Sequence, residues 1–294
     1  MSTPEWKIAF FLLLLLAVGS AAGTGRADTS QYNGFDVVGG LIDPLDIYHG
    51  GPERDGIPAI DRPRFLAGTA REGALDPDER IMGVNHNGIA KAYPIRILDQ
   101  HEIVNDWFRD TPVTITFCPL CGTGMVFLAQ VGDSTLRFGV SGLLYNSNLL
   151  LYDRVTDSYW SQMLQLSVRG DRIGELPTAV QLIETTFATI TAMYPDALVM
   201  TRDTGWGRSY DDYPYGDYLT SNDLLFNVSQ QNNSLPRKQL AIGIHADNSA
   251  RVYQLNGFGP QTQVIHDQFS GQSIVVVGNS TLNFAAIYNR ELAE

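Results

Sequence analysis

The chain has 294 residues, a formal net charge of -12 and a pI near 4.8, with 44% apolar residues. No Lys/Arg cluster occurs along it, so the electrostatic footprint of a nucleic-acid binder is missing and nucleic acid is excluded as a partner. The apolar content suffices for one large core or two smaller ones, and the acidity serves solubility.

In chain order, Lys7 precedes an apolar run from Ile8 to Val18, then the small residues Gly19 to Gly25 and a polar segment from Asp28 to Asn33. A bilayer span takes about 20 apolar residues, whereas a run this short fits the h-region of a secretory signal. Residues 1–27 are therefore expected to be a signal peptide, cleaved after Ala22 or Ala27, with an uncleaved N-terminal anchor as the alternative. The expected location is periplasmic or extracellular, without a membrane span once the signal is removed. A β-rich domain is expected over 28–235, and a partial second β-rich repeat over 236–294.

Strand signals dominate. Short stretches rich in β-branched or aromatic residues, bounded by Gly, Asn and Asp, predict strands at Ile81–Val84, Ala90–Ile97, Val113–Phe117, Gly124–Val131, Thr135–Val140 and Leu149–Tyr152. The same signals recur at Leu240–Ile244, Arg251–Leu255, Gln263–Ile265 and Ser273–Val277. A helix is predicted over Thr185–Tyr194, where Phe187, Ile190 and Met193 share a face, and a helical turn around Leu98–Asn105. Thr201–Tyr218, with its glycines, Pro214 and four tyrosines, predicts an irregular loop packed by aromatics. The fold class is α+β, predominantly β.

An internal repeat sharpens this reading. Ile81–Tyr93 can be laid on Ala241–Tyr253, pairing Gly83 with Gly243, Lys91 with Arg251 and Tyr93 with Tyr253. With one residue inserted, Ile103–Asp106 falls on Val264–Asp267 and Val113–Thr116 on Ile274–Val277. Beyond that point Cys118 lies opposite Asn279 and Cys121 opposite Leu282. Two related β-rich halves follow, of which one carries thiols.

Those thiols are the two cysteines of the chain, in Cys118-Pro-Leu-Cys-Gly122. At this spacing they can chelate a soft metal, close a small disulfide ring or exchange electrons with another disulfide. The residues after Cys121 read as a strand, which weakens a thioredoxin-type reading and favours a metal-binding knuckle whose Gly permits positive φ. Only one such knuckle is present, so further ligands must come from elsewhere. His101 is the foremost candidate, because His101–Asp106 directly precedes the strand that delivers Cys118; a hydrogen-bonded structural histidine is the competing reading. His49, His86, His245 and His266 lie in loops, turns or the thiol-free copy. Met125 can assist a Cu(I) site, while Glu102 and Asp106 are candidate supports for the imidazole. Asp153 and Trp160 can close over the thiols, or form a structural ion pair and a packed indole. Ser141, Asn146 and Asn148 read first as turn residues and second as a pocket floor.

The ordered motifs Gly50–Phe65, Ala92–Leu98, His101–Asp106, Thr116–Gly122, Phe138–Gly142, Tyr145–Asn148, Tyr152–Arg154 and Ser158–Gln162 resemble those of the prokaryotic domain-of-unknown-function family 3179. The resemblance runs from about Gly50 to at least Tyr253 and implies a fold-level kinship and an exported location. Similar members continue into another Trp-containing segment, whereas this sequence stops at Glu294, so a shortened second copy with an unpaired edge is expected.

Three functions stand open. The preferred one is an exported metal-binding protein for copper or zinc, with Cys118, Cys121 and His101 as ligands. The second is a thiol-disulfide oxidoreductase acting through the same cysteines. The third is a binding or scaffold module stapled by a structural disulfide. The missing helix after Cys121 disfavours the second, and the thiol-free copy disfavours the third. The partner is a protein or small molecule of unspecified kind.

Overall fold

The computed structural model describes residues 31–246 and 249–291; the expected signal segment lies outside them. Short strands dominate, accompanied by two α-helices of seven residues each. Among the described residues, no helix is long and apolar enough to cross a membrane.

The first half opens with the hairpin Arg80–His86 and Ile89–Pro94. This hairpin forms the centre of a five-stranded sheet, flanked by Leu182–Thr186 on one side and by Leu198–Met200 and Phe65–Leu66 on the other. Pro94 then caps the helix Ile95–His101, so the predicted strand Ala90–Ile97 ends three residues early. Pro fixes its own φ and is well suited to a helix entry. The helix stops at Glu102, whose backbone N–H bonds to Leu98 O at 2.7 Å and whose φ is +59°. Asn105, predicted within a helical turn, instead belongs to the strand Ile103–Phe108. That strand joins Thr111–Cys118 and Thr123–Leu128 in a three-stranded antiparallel sheet.

A second five-stranded sheet runs Leu166–Arg169, Tyr159–Ser161, Asn148–Asp153, Phe138–Tyr145 and Ile47–His49. Its central hairpin turns on Asn146 and Ser147, both at positive φ, as a two-residue primed turn requires. Gly142 breaks the register beside this turn; a Cβ there would meet Pro52 O at 2.1 Å. The helix predicted from Thr185 begins two residues later, at Phe187, because Thr185 and Thr186 are paired with Ile81 and Arg80. Thr186 Oγ1 accepts from Thr189 N at 3.2 Å and so caps that helix.

Two apolar clusters bracket the thiol strand Thr111–Cys118. One holds Met82, Tyr93, Leu98, Ile115, Phe117 and Val126; the other holds Cys118 itself with Leu120, Phe138, Leu151, Trp160 and Tyr218. Alternation along the strand sends successive side chains into the two cores, which fixes its register. Each large apolar side chain so buried contributes about 1.5–3 kcal/mol.

The second half repeats the first in register. Gly83 pairs with Ala92 and Gly243 with Val252; Asp106 pairs with Val113 and Asp267 with Ile274. One polar cluster recurs as well. Lys91 Nζ and Tyr93 OH bond Asp106 Oδ2 at 2.7 and 2.6 Å, while Arg251 and Tyr253 bond Asp267 Oδ2 at 2.7 and 2.6 Å. The correspondence continues past the point where the sequences part. Cys118 pairs with Thr123 and Asn279 with Phe284, so Phe284–Asn289 is the counterpart of Thr123–Leu128. The expected loss of the final strand's partner is corrected, because that strand is hydrogen-bonded to Gln272–Asn279, while its other side is the edge of the three-stranded sheet.

Candidate functional site

The Cys-Pro-Leu-Cys turn closes the hairpin between the thiol strand and Thr123–Leu128. Cys121 N donates to Cys118 O at 3.2 Å, which makes the four residues a β-turn with Pro119 at its second position. Gly122 follows at φ +57°, a conformation that glycine adopts without steric cost. Both cysteines are free thiols; Cys118 is buried and Cys121 exposed.

Their environments push them apart. Burial raises the Cys118 thiol well above its ordinary value and the neighbouring Cys121 sulfur raises it further, while Cys118 Sγ donates to Ser147 O at 3.7 Å. Cys121 is lowered, first by the neighbouring Cys118 thiol and then by hydrogen bonds from Asn148 and Thr123, which together outweigh the packing around it. Asn148 Nδ2 lies 3.0 Å from Cys121 Sγ. Hydrogen bonds to a thiolate favour the charged form. No helix N-terminus is involved, because a strand follows the turn.

A polar chain holds Asn148 in place. Its Nδ2 also donates to Gln162 Oε1 at 2.7 Å, and its Oδ1 accepts from Met163 N at 3.1 Å. Gln162 Nε2 in turn bonds Thr116 Oγ1 at 2.9 Å and Thr123 O at 3.1 Å, linking the thiol hairpin to the second large sheet. Gln162 is completely buried, so its amide has a fixed orientation.

Glu102 completes the site. It shares a small cavity with Cys118, Leu120 and Tyr215, and its carboxyl is raised to about 8, chiefly by burial, with the Cys121 charge adding to the shift. The group is therefore protonated at neutral pH. Its left-handed backbone would suit Gly or Asn better, yet a carboxylate stands there.

The predicted aromatic loop Thr201–Tyr218 has no regular element and clasps this assembly with its four tyrosines. Tyr213 OH donates to Pro119 O at 3.2 Å and Tyr218 OH to Leu120 O at 3.0 Å, gripping the turn from outside. Tyr215 OH donates to Glu102 Oε1 at 3.3 Å. Tyr210 OH meets His101 Nε2 at 2.8 Å.

The remaining candidates fall elsewhere. His101 is fully buried, with Nδ1 2.7 Å from Pro58 O and Nε2 against Tyr210, so both ring nitrogens are engaged and neither faces the sulfurs. Asp106 is taken up by Lys91 and Tyr93. Asp153 accepts from Trp160 Nε1 at 2.9 Å and from Thr156 N at 2.7 Å, which makes it the organiser of its own turn. Trp160 lies in the apolar cluster behind Cys118, packed on Phe138 at 5.6 Å. Met125 faces a separate cavity beside the turn. Among the described residues, no group of three His, Cys, Asp or Glu side chains gathers to hold a metal ion. The donor set brought together at the turn is two sulfurs, two ligands short of a four-coordinate zinc site.

Glu102 was reached in the sequence as a support for an imidazole, and its partnership with the thiols comes from the fold. Gln162 lies in the Ser158–Gln162 motif beside the Trp160 expected to close over the thiols, whereas the four tyrosines, far from Cys121 along the chain, lack any local signal for a site. Their appearance in a Gly/Pro-rich loop reads as packing.

Neither a curated protein nor a solved structure matches the chain. The family model described as "Protein of unknown function (DUF3179)" matches residues 54–294, and the chain belongs to that family.

Proposed function

We propose that the protein is a thiol-disulfide oxidoreductase, acting outside the cytoplasm as the secretory segment expected at residues 1–27 implies. The observation that carries this reading is the division of labour in the pair: an exposed Cys121 whose hydrogen bonds lower its thiol, and a buried Cys118 whose thiol is raised. Cys121 Sγ attacks a disulfide of the partner, the S–S bond breaks, and one partner sulfur leaves as thiolate while the other is bound to Cys121. Cys118 then loses its proton, attacks Cys121 Sγ and releases the second partner sulfur. The partner gains two electrons, and the Cys118–Cys121 disulfide holds the oxidised state.

Glu102 supports the second step. Buried next to Cys118, with its carboxyl raised to about 8, it is matched to shuttle the Cys118 proton near neutral pH once it has itself ionised. The tyrosine clasp keeps the turn from opening while the sulfurs change partners.

The test is anaerobic purification followed by elemental analysis and redox titration of the pair, with mass spectrometry of alkylated thiols. The expected result is no stoichiometric metal, reversible two-electron oxidation, and a mixed disulfide trapped on Cys121 in the Cys118→Ser variant. Stoichiometric copper or zinc lost in Cys118→Ser/Cys121→Ser would overturn this reading in favour of coordination. A reductant-resistant disulfide would overturn it in favour of a structural staple.

A further inference from the structure

Cys121 lines the first of two adjoining rooms of different chemistry. The first, of about 590 Å³, is polar: its wall carries Gln230, Gln231, Asn232 and Asn233, and Ser147, whose buried Oγ is bonded to no protein group. The second, of about 450 Å³, opens between the two halves and carries Met125, Met163, Ile242, Ile244 and Val252. Both rooms share Gly122, Thr123, Leu240 and Ala241, so a molecule held at Cys121 can extend into each.

From this arrangement we infer that the substrate is an extended polypeptide bearing a cysteine disulfide, its backbone held in the amide-lined room and an apolar side chain next to its cysteine in the Met-lined room. The inference rests on the thiol-exchange reading and names its substrate class. Together the rooms reach the upper end of the roughly 300–1,000 Å³ of typical small-molecule sites. Side-chain amides supply donors and acceptors that match any peptide backbone whatever its sequence. Methionines adapt to varied apolar shapes, which suits a surface that meets many sequences.

The polar room disfavours a small anionic thiol only in part: Arg80 is bonded to Glu184 and Lys238 to Tyr218 O, but Arg237 lines it too. The chain as a whole is also strongly acidic.

This reading gives the thiol-free half a task. Its hairpin Ala241–Ala246 and Ser249–Gln254 supplies one wall of the apolar room, while the thiol-bearing half supplies the chemistry. Met163 and Val252 both line the apolar room, with 48% and 55% exposure, so substitution there leaves the buried cores intact.

The experiment uses the reduced full-length protein and two probes with one leaving group. N-acetylcysteine amide and a linear peptide with Leu and Val beside its single Cys are each converted to the mixed disulfide with pyridine-thiol. Cys121 Sγ bonds to the probe's cysteine sulfur, the S–S bond breaks, and pyridine-thiolate leaves with the electron pair, read by its absorbance. The peptide is expected to react at least about tenfold faster, the least that burial of one such side chain gives. That advantage shrinks to about twofold or less in Met163→Gln and in Val252→Thr. Equal rates for the two probes, or an advantage that both variants retain, would overturn the substrate class while leaving thiol exchange standing. Reaction of neither probe, with Cys121→Ser indistinguishable from the parent chain, would sink the exchange reading beneath it.

Discussion

The two halves share hairpin, sheet register and even the Lys/Arg–Tyr–Asp cluster, yet only one carries thiols. At the position of Cys118 the second half has Asn279, whose Oδ1 accepts from Leu282 N at 2.8 Å and whose Nδ2 reaches Thr262 Oγ1 at 3.3 Å. A side-chain amide thus closes the turn that backbone and Pro119 close in the first half. Gln263 replaces Glu102 and is exposed, and Leu282 replaces Cys121. The strand frame tolerates either filling. What differs is the surroundings of the two turns: the Asn148–Gln162 chain and the tyrosine loop bond the thiol turn.

The sharpest way to break this comparison is to move the thiols. Cys121→Ser should lower disulfide exchange by at least about 1,000-fold, since it removes the attacking sulfur. The graft Asn279→Cys/Leu282→Cys in that background should recover less than about 1% of the parent rate, because no buried carboxyl and no Asn148–Gln162 chain awaits it. Substantial recovery, measured as pyridine-thiol release, would show that the turn alone suffices.

Next in size is the shared polar cluster. In the first half the Lys91 and Asp106 side chains are 7% and 8% exposed, whereas Arg251 and Asp267 are 43% and 29% exposed. Asp106→Asn leaves a buried cation unpaired and should cost about 3–5 kcal/mol in urea unfolding. Asp267→Asn should shift the midpoint much less, since solvent screens its pair. Asp267 is depressed to about 2, first by Tyr253 and then by Arg251, so its contribution is present above the ordinary carboxylate range and is lost as pH falls toward 2.

Glu102 has the opposite sign. Its folded value, about 8, lies above the unfolded one of about 4.3, so the native state binds the extra proton between them and stability falls as pH rises from about 4.3 to 8. Glu102→Gln should flatten that slope in unfolding measured from pH 5 to 8. The same variant should slow closure of the Cys118–Cys121 disulfide about 100-fold, the low end for loss of a general acid–base group. A pH slope unchanged by the substitution would remove Glu102 from the site.

The smallest expected effect concerns the clasp. Tyr213→Phe and Tyr218→Phe each delete one hydrogen bond to the turn and should cost about 0.5–1.5 kcal/mol apiece. Faster alkylation of Cys118 in the pair of variants, with Cys121 unaffected in its pH profile, would confirm that the tyrosines hold the turn shut.

Much of the fold was legible in the chain because alternation and turn residues act locally. The strands from Ile81 to Tyr152 and from Leu240 to Val277 lie near their predicted places, and the repeat predicted the register of the second half. Boundaries moved where tertiary pairing outweighed propensity: Thr185 and Thr186 have helix-compatible neighbours but are captured by Arg80–Ile81, and Ile103–Asn105 by the thiol strand. Strands such as Ile47–His49 and Leu198–Met200 carry too few residues to show a period, so only their neighbours define them.

For the site, sequence alone determined the reactive atoms and their spacing, because Cys-Pro-Leu-Cys-Gly encodes a tight turn through covalent geometry that needs no other residue. It also determined that a strand follows, through the apolar run after Gly124. The tertiary structure decided which sulfur faces solvent, which carboxyl stands beside the other, and that His101 turns to Pro58 and Tyr210. Acidity and nucleophilicity depend on burial and on hydrogen bonds a few ångströms long, and those distances join residues such as Cys118, Asn148, Gln162 and Tyr215 that only packing brings together.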